Sequence, residues 1–161
     1  MAFSLKEIVD IAVGLEDAGH EFYEECGRFF TDEGMKDTFA FLAREELIHK
    51  ELFQAFQWRE DAIDNGLFND EYFGYLRAVG GGQIFDRHVV NIRELVHGMT
   101  SPLDAIKRAF IAEKDSILFY SEMRRLYPER HAASDMIGRI IAEEHKHVLT
   151  LYELTDKIKK T

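Results

Sequence analysis

Two segments of this chain share a pairing of residue types, a glutamate followed three positions later by a histidine. They are Glu46 with His49 and Glu144 with His147, and the two pairs are 98 positions apart. On a helix, residues three positions apart project from one face, so each pair can reach one metal ion. A single pair arises often by chance in an acidic chain. Its repetition predicts two halves that combine around a shared site.

A lone glutamate precedes each pair by about thirty residues. Glu16 and Glu113 are 97 positions apart, and each lies seven positions before a tyrosine, Tyr23 or Tyr120. The nearly equal offsets predict two helical hairpins of similar design, packed about a pseudo-twofold axis. Each hairpin supplies one lone glutamate and one Glu-x-x-His pair, so neither hairpin can complete the site alone.

The spacing of helix-breaking residues predicts an all-α fold. Of 161 residues, 46% are hydrophobic and only two are proline, which leaves long segments for helices in one domain over residues 1–161. We expect long helices at about 4–30, 35–63, 101–127 and 131–159. A glycine-containing segment at about 64–100 should form a partly helical crossover between two antiparallel hairpins. The fold is therefore predicted to be a four-helix bundle.

The four glutamates interrupt apolar faces of their predicted helices. Glu144, for example, lies in a stripe with Ile137, Ile140, Val148 and Leu151. Four buried carboxylates could not remain ionised together without neutralisation, because an unpaired buried charge costs many kcal/mol. Two divalent cations would neutralise four carboxylates, and the two neutral histidines would add nitrogen ligands.

This donor set predicts a site for two metal ions. Carboxylate oxygens with imidazole nitrogens suit iron, and manganese or zinc could substitute. The predicted ligands are Glu16, Glu46, His49, Glu113, Glu144 and His147.

Charge and cysteine content exclude other classes of function. The net charge of −10 repels phosphate backbones and anionic membranes, so neither nucleic acid nor a membrane is an expected partner. Cys26 is the only cysteine, which excludes an intrachain disulfide and a four-cysteine iron site within these residues. The first ten residues include charges where a signal peptide needs an apolar run, and no segment approaches about 18 uncharged apolar residues. We therefore expect a soluble cytoplasmic protein.

These residues resemble the di-iron site of the ferritin-like superfamily, and most of all the rubrerythrin type of domain. The resemblance rests on the six predicted ligands and on the helical segments Phe41 to His49 and Glu113 to Tyr120. It implies a ferritin-like four-helix bundle that binds two iron ions. It also implies that Glu46 and Glu144 bridge the metals, whereas Glu16 and Glu113 are terminal ligands.

The resemblance has two departures. Rubrerythrins carry a rubredoxin-like cysteine domain that supplies electrons, and these residues contain no such cysteine set. An external electron donor, such as a rubredoxin-like protein, is therefore expected. Rubrerythrins also tend to have a further glutamate one turn along the third helix, where this chain has Ser116. The resemblance does not extend to the metal movement specific to the peroxidases.

Three functions follow from this pattern as hypotheses. The leading one is a non-haem di-iron oxidoreductase that reduces hydrogen peroxide or dioxygen, as in protection against oxidative stress. The second is an iron-binding ferroxidase module that stores or sequesters iron without peroxidase turnover. The third keeps the bundle without metal, with protonated carboxylates in the core of an interaction protein. A homo-oligomer is expected, and a dimer through the crossover is one arrangement.

Four further side chains have more than one interpretation. Tyr23 and Tyr120 lie on the same helical faces as the lone glutamates, so they could hydrogen-bond a carboxylate, carry an electron or simply pack in the core. Glu45 and Glu143 each precede a ligand glutamate and point about 100° away from it, so they are either exposed or behind the ligands.

Overall fold

The chain folds into helices, as seen in a computed structural model that describes residues 4–63, 69–80 and 90–160. The helices are α1 (Leu5–Phe29), α2 (Glu33–Ala55), α3 (Asp70–Gly80), α4 (Ile92–His97), α5 (Pro102–Arg124) and α6 (Ala132–Lys159), with a 3-10 turn at Glu60–Ala62. No strand occurs in these ranges, which confirms the all-α prediction. Segments 64–68 and 81–89 of the predicted crossover lie outside the described residues.

Local sequence accounts for where two of the long helices begin. Ser4 and Glu7 form a reciprocal capping box at the start of α1, in which each side chain accepts a hydrogen bond from the other residue's backbone N–H. At the start of α5, the Ser101 hydroxyl accepts a hydrogen bond from the N–H of Asp104 at 3.3 Å. Pro102 occupies the first turn there, where its missing N–H leaves no helical hydrogen bond unmade.

The second long helix is shorter than predicted. It ends at Ala55, so the expected end near residue 63 was wrong. Beyond it, Trp58 folds back, and its indole N–H donates to the carbonyl oxygen of Phe53 at 3.0 Å. The indole also stacks on the Phe53 ring and lies 6.1 Å from the ring of Tyr127. A continuing helix would turn Trp58 about 140° away from Phe53, so these contacts favour the earlier end.

The apolar core consists of two clusters at different levels of the bundle. The first core cluster includes Phe22, Phe39, Ala109 and Leu151. The second core cluster includes Ile8, Phe53, Phe119 and Ile137. Along the chain, α1 and α6 pass from the second cluster to the first, whereas α2 and α5 pass from the first to the second.

This order fixes the directions of the four long helices. α1 packs along α2, α5 packs along α6, and each pair is antiparallel. α2 and α5 run parallel, which requires the long connection between them. The structure thus confirms two antiparallel hairpins joined by a partly helical crossover, whose helices α3 and α4 pack on α1. No helix in the described ranges has both the length and the low charge needed to cross a lipid bilayer.

The last residue of α3, Gly80, packs where the crossover meets the bundle. A Cβ atom at this position would collide with the side chain of Ile11 in α1 and would lie 2.9 Å from the Phe119 ring in α5. Any larger residue would therefore push α3 away from both helices.

We expect Gly80→Ala to lower the free energy of unfolding by about 1–3 kcal/mol, because overpacking must displace buried groups. Gly74→Ala in the same helix is the matched control, since a Cβ there would contact nothing within 4 Å. That control should leave stability unchanged or raise it by up to about 1 kcal/mol. Urea unfolding of both variants measures the difference, and equal stabilities would contradict the packing described for α3.

Candidate metal centre

The six predicted ligands lie together in the centre of the bundle. All four long helices contribute, and the ligands fall between the first and second core clusters along each helix. Each of these side chains is at most 5% exposed, although all are polar or charged: Glu16, Glu46, His49, Glu113, Glu144 and His147. The folded chain therefore places these six polar side chains in the interior of the bundle, with one apolar core cluster on each side of them along the helices.

The ligand atoms form two overlapping groups, and within each group they lie within 4.8 Å of one another. One group consists of Glu16, Glu46, His49 and Glu144. The other consists of Glu46, Glu113, Glu144 and His147. Glu46 and Glu144 occur in both groups, so each could bridge two cations. Each group also has one histidine and one unshared glutamate, which is the division that the family resemblance implied.

Both imidazole rings turn their Nδ1 atoms toward the carboxylates. His49 Nδ1 is 3.0 Å from Glu144 Oε1 and 3.5 Å from Glu16 Oε2. His147 Nδ1 is 2.9 Å from Glu144 Oε2 and 3.3 Å from Glu46 Oε1. The two rings stack on each other with centroids 5.5 Å apart.

The two tyrosines connect the hairpins through the unshared glutamates. Tyr23 of the first hairpin donates its hydroxyl hydrogen bond to Glu113 Oε1, and Tyr120 of the second donates to Glu16 Oε1 at 2.5 Å. Burial and the neighbouring carboxylates raise the pKa of both phenols well above 10.0, so both remain protonated donors. Each bond holds one carboxylate oxygen and leaves the other, Oε2, facing a histidine.

Several buried polar atoms at this centre have no hydrogen-bond partner among the described residues. Nε2 of His147 is one of them, and the others are Oε2 of Glu16, Oε1 of Glu46, both carboxylate oxygens of Glu144, and Nδ1 of His49 and His147. Native proteins rarely leave such atoms unsatisfied, and the atoms other than His147 Nε2 converge on the same space. Oxygen and imidazole donors in this arrangement fit two divalent cations.

A glycine in α1 provides the room for one shared carboxylate. A Cβ atom at Gly19 would lie 3.0 Å from Glu46 Oε2 and 3.2 Å from its carboxyl carbon. The Glu46 side chain therefore packs directly over the α1 backbone at this turn.

In the metal-free chain, the shifted pKa values favour protonation of Glu46, Glu113, His49 and His147. Burial and the neighbouring carboxylates raise the pKa of Glu46, and they raise that of Glu113 to about 8. Burial alone would lower the pKa of His49, but contacts with carboxylates, Glu144 foremost, raise it to about 11, and the pKa of His147 is raised in the same way. Burial would raise the pKa of Glu144, but contacts with both histidines hold it well below its usual range.

A residue that sequence reasoning left undecided contacts the centre from behind. Glu143 Oε2 is 2.8 Å from His49 Nε2, and the Glu143 side chain is 39% exposed. The feature of the sequence that pointed to Glu143 was the presence of a glutamate immediately before each of Glu46 and Glu144.

His20 belongs to neither ligand group, and its Nδ1 lies 2.7 Å from the carbonyl oxygen of Ala43.

One of three comparisons with known proteins finds a similar protein. Neither a scan against models of protein families nor a search of curated proteins finds a match. A search of solved structures finds a protein of Thermotoga maritima, provisionally described as a ferritin-like diiron-carboxylate protein, whose crystal structure has 2.30 Å resolution. It is 27% identical to this chain, superposes with a TM-score of 0.71, and the match covers 95% of both chains. This chain therefore has the ferritin-like four-helix fold of a diiron-carboxylate protein, and its carboxylate and histidine groups fit a di-iron site.

Proposed function

We propose that this protein is a non-haem di-iron oxidoreductase of rubrerythrin type, which reduces hydrogen peroxide or dioxygen with electrons from an external donor. The observation that supports it is the pair of ligand groups that share Glu46 and Glu144 within a closed apolar compartment. The description of the similar Thermotoga maritima protein as a diiron-carboxylate protein supports the choice of metal.

The chain's own residues hold the two metal positions in register. When bound, two ferrous ions supply the two electrons that convert one hydrogen peroxide and two protons into two water molecules, and the external donor later returns those electrons. Glu46 and Glu144, which belong to both ligand groups, would bind both ions, whereas His49 and His147 would each bind one. Carboxylates from all four long helices would balance the positive charge, and the surrounding apolar clusters would restrict access of water.

The tyrosines orient the unshared carboxylates in this proposal. Because Tyr23 holds Oε1 of Glu113 and Tyr120 holds Oε1 of Glu16, one oxygen of each carboxylate remains available to a cation. A hydrogen bond from a buried phenol also limits rotation of the carboxylate, so the terminal ligands are positioned before a cation arrives.

The proposal includes the source of the electrons and the compartment in which the protein works. Cys26 is buried and is the only cysteine, so a four-cysteine electron carrier would have to come from outside these residues. A separate rubredoxin-like protein in the cytoplasm would provide it. Storage of iron is the alternative function, and the next experiment separates the two.

Anaerobic addition of Fe²⁺ should load about two iron ions per chain. Each molecule of hydrogen peroxide that is then reduced should oxidise about two of these ions. When a reductant is also supplied, the protein should reduce peroxide repeatedly. Glu144→Gln should lower both metal loading and turnover at least about tenfold, because this carboxylate belongs to both ligand groups. Glu153→Gln, at an exposed position of the same helix, is the matched control and should behave as the unmodified protein.

Metal analysis, stopped-flow absorbance and light scattering together decide between the hypotheses. Iron oxidation without turnover, in a large assembly retaining many irons per chain, would favour storage over the proposed activity. A protein that binds no divalent metal under these conditions would instead support the interpretation as an interaction protein.

Gly19→Ala should weaken binding of divalent metal by about tenfold, since a Cβ atom there displaces the shared Glu46 carboxylate. Gly14→Ala is the matched control in α1, because a Cβ at that position contacts nothing within 4 Å. Both substitutions add helix propensity, so neither should unfold the protein. Competition with a chelator measures the affinities, and equal affinities in the two variants would show that Glu46 needs no room at Gly19.

The metal-free protein should lose stability between about pH 6 and about pH 9. Glu113 has a pKa of about 8 in the folded chain against an ordinary 4.5, and His49 has a pKa of about 11 against 6.5. Both groups bind protons more tightly when folded. Each therefore contributes stability that is complete below its ordinary pKa and is lost as pH rises through the folded value.

Thermal unfolding in the presence of a chelator measures this dependence. Glu113→Gln cannot ionise at this position, so its unfolding midpoint should fall less over the same interval. A midpoint that is constant or rises toward about pH 9 would contradict the proton-neutralised centre described for the metal-free chain.

A further inference from the structure

The two halves of the centre differ in the hydrogen-bond partner of the histidine Nε2 atom. His49 Nε2 is 2.8 Å from the Glu143 carboxylate, which α6 supplies. His147 Nε2 is buried and has no hydrogen-bond partner among the described residues. His147 is only 1% exposed, so this nitrogen faces protein on all sides. The pseudo-twofold relation between the halves is therefore broken at the histidines.

The difference has an origin in the sequence. With the repeat offset of 98, Glu143 corresponds to Glu45, yet Glu45 forms no bond to His147. The ring of Phe41 instead lies edge-on to His147, with centroids 6.4 Å apart and planes at 85°. The residue that corresponds to Phe41 in the second half is Arg139, and both positions are exposed. The two halves therefore differ in chemistry at this position, with an apolar ring beside His147 and a charged side chain at the equivalent place in the second half.

A carboxylate behind an imidazole changes how well the imidazole binds a cation. Nδ1 can bind a cation only when the ring's remaining proton is on Nε2, and Glu143 accepts a hydrogen bond from that position in His49. The bond fixes the tautomer and the ring orientation, and it makes Nδ1 a stronger donor. His147 lacks this support, so its ring must adopt the binding tautomer without a partner for Nε2–H.

We propose that the two cation positions have unequal affinities, that the position served by His49 fills first, and that Glu143 is the positioning residue responsible. The inference rests on the proposed function only in requiring that two divalent cations bind. Removal of such a supporting partner commonly weakens metal binding by about 10–100-fold, so the difference should be measurable.

Titration of the metal-free protein with Co²⁺ tests this without any redox step. The unmodified protein should bind in two steps, each with its own visible absorption spectrum. Glu143→Ala should weaken the first step by about tenfold or more and bring it toward the second. Glu143→Gln should recover part of the affinity, because its amide oxygen can still accept the hydrogen bond but carries no charge. Glu45→Ala is the matched control and should leave both steps unchanged.

Thermal unfolding of the metal-free variants checks that the effect is on binding. Glu143 is 39% exposed, and the bundle should tolerate its truncation. Two equal steps in the unmodified protein, or equal losses in Glu143→Ala and Glu45→Ala, would overturn the inference while leaving the proposed function intact. Two-step Co²⁺ binding with no peroxide or dioxygen reduction by the iron-loaded protein would overturn the proposed function alone.

Discussion

The neutralisation of four carboxylates inside an apolar bundle is the constraint on which the rest of this structure depends. Burial separates these groups from water, so their charge must be balanced by protons or by cations at the same place. Since these side chains come from all four long helices, the charge balance is complete only when both hairpins are assembled. Binding of cations at this centre would therefore be coupled to assembly of the bundle, as it is at metal sites whose ligands converge only on folding.

The tyrosines extend this coupling across the hairpins. Tyr23 and Glu16 share α1, but Tyr23 bonds to Glu113 of the opposite hairpin, and Tyr120 bonds back to Glu16. Each unshared carboxylate is thus held by the other half of the molecule. A shift of one hairpin along the other would break both bonds and leave buried acceptors unpaired, which costs about 1–3 kcal/mol for each group. The polar centre helps to fix the register that apolar packing alone would leave loosely defined.

The bundle, and the meeting of the six polar side chains in its core, were predictable because both depend on periodicity along single helices. A glutamate in an apolar stripe such as that of Glu144 must face the core, and the repeat identifies its counterpart. The early end of α2 was not predictable in this way, because Trp58 folds back onto Phe53 beside Tyr127, a residue about seventy positions later that helical periodicity does not place there. The crossed tyrosine bonds and the Glu143 contact likewise depend on the register between helices, which no pattern within one helix contains.

The repeat includes every residue that the charge balance requires. The lone glutamates and their tyrosines recur, and between them Gly19 corresponds to Ser116, so a small residue stands at both positions. At Gly19 the reason is the Glu46 carboxylate, 3.0 Å from where a Cβ would lie. Phe41, whose ring lies against His147, and Arg139, its exposed counterpart in the second half, do not alter the number of buried charges. They are therefore free to diverge between the halves, and chemical inequivalence of the two cation positions can arise without disturbing the shared carboxylates.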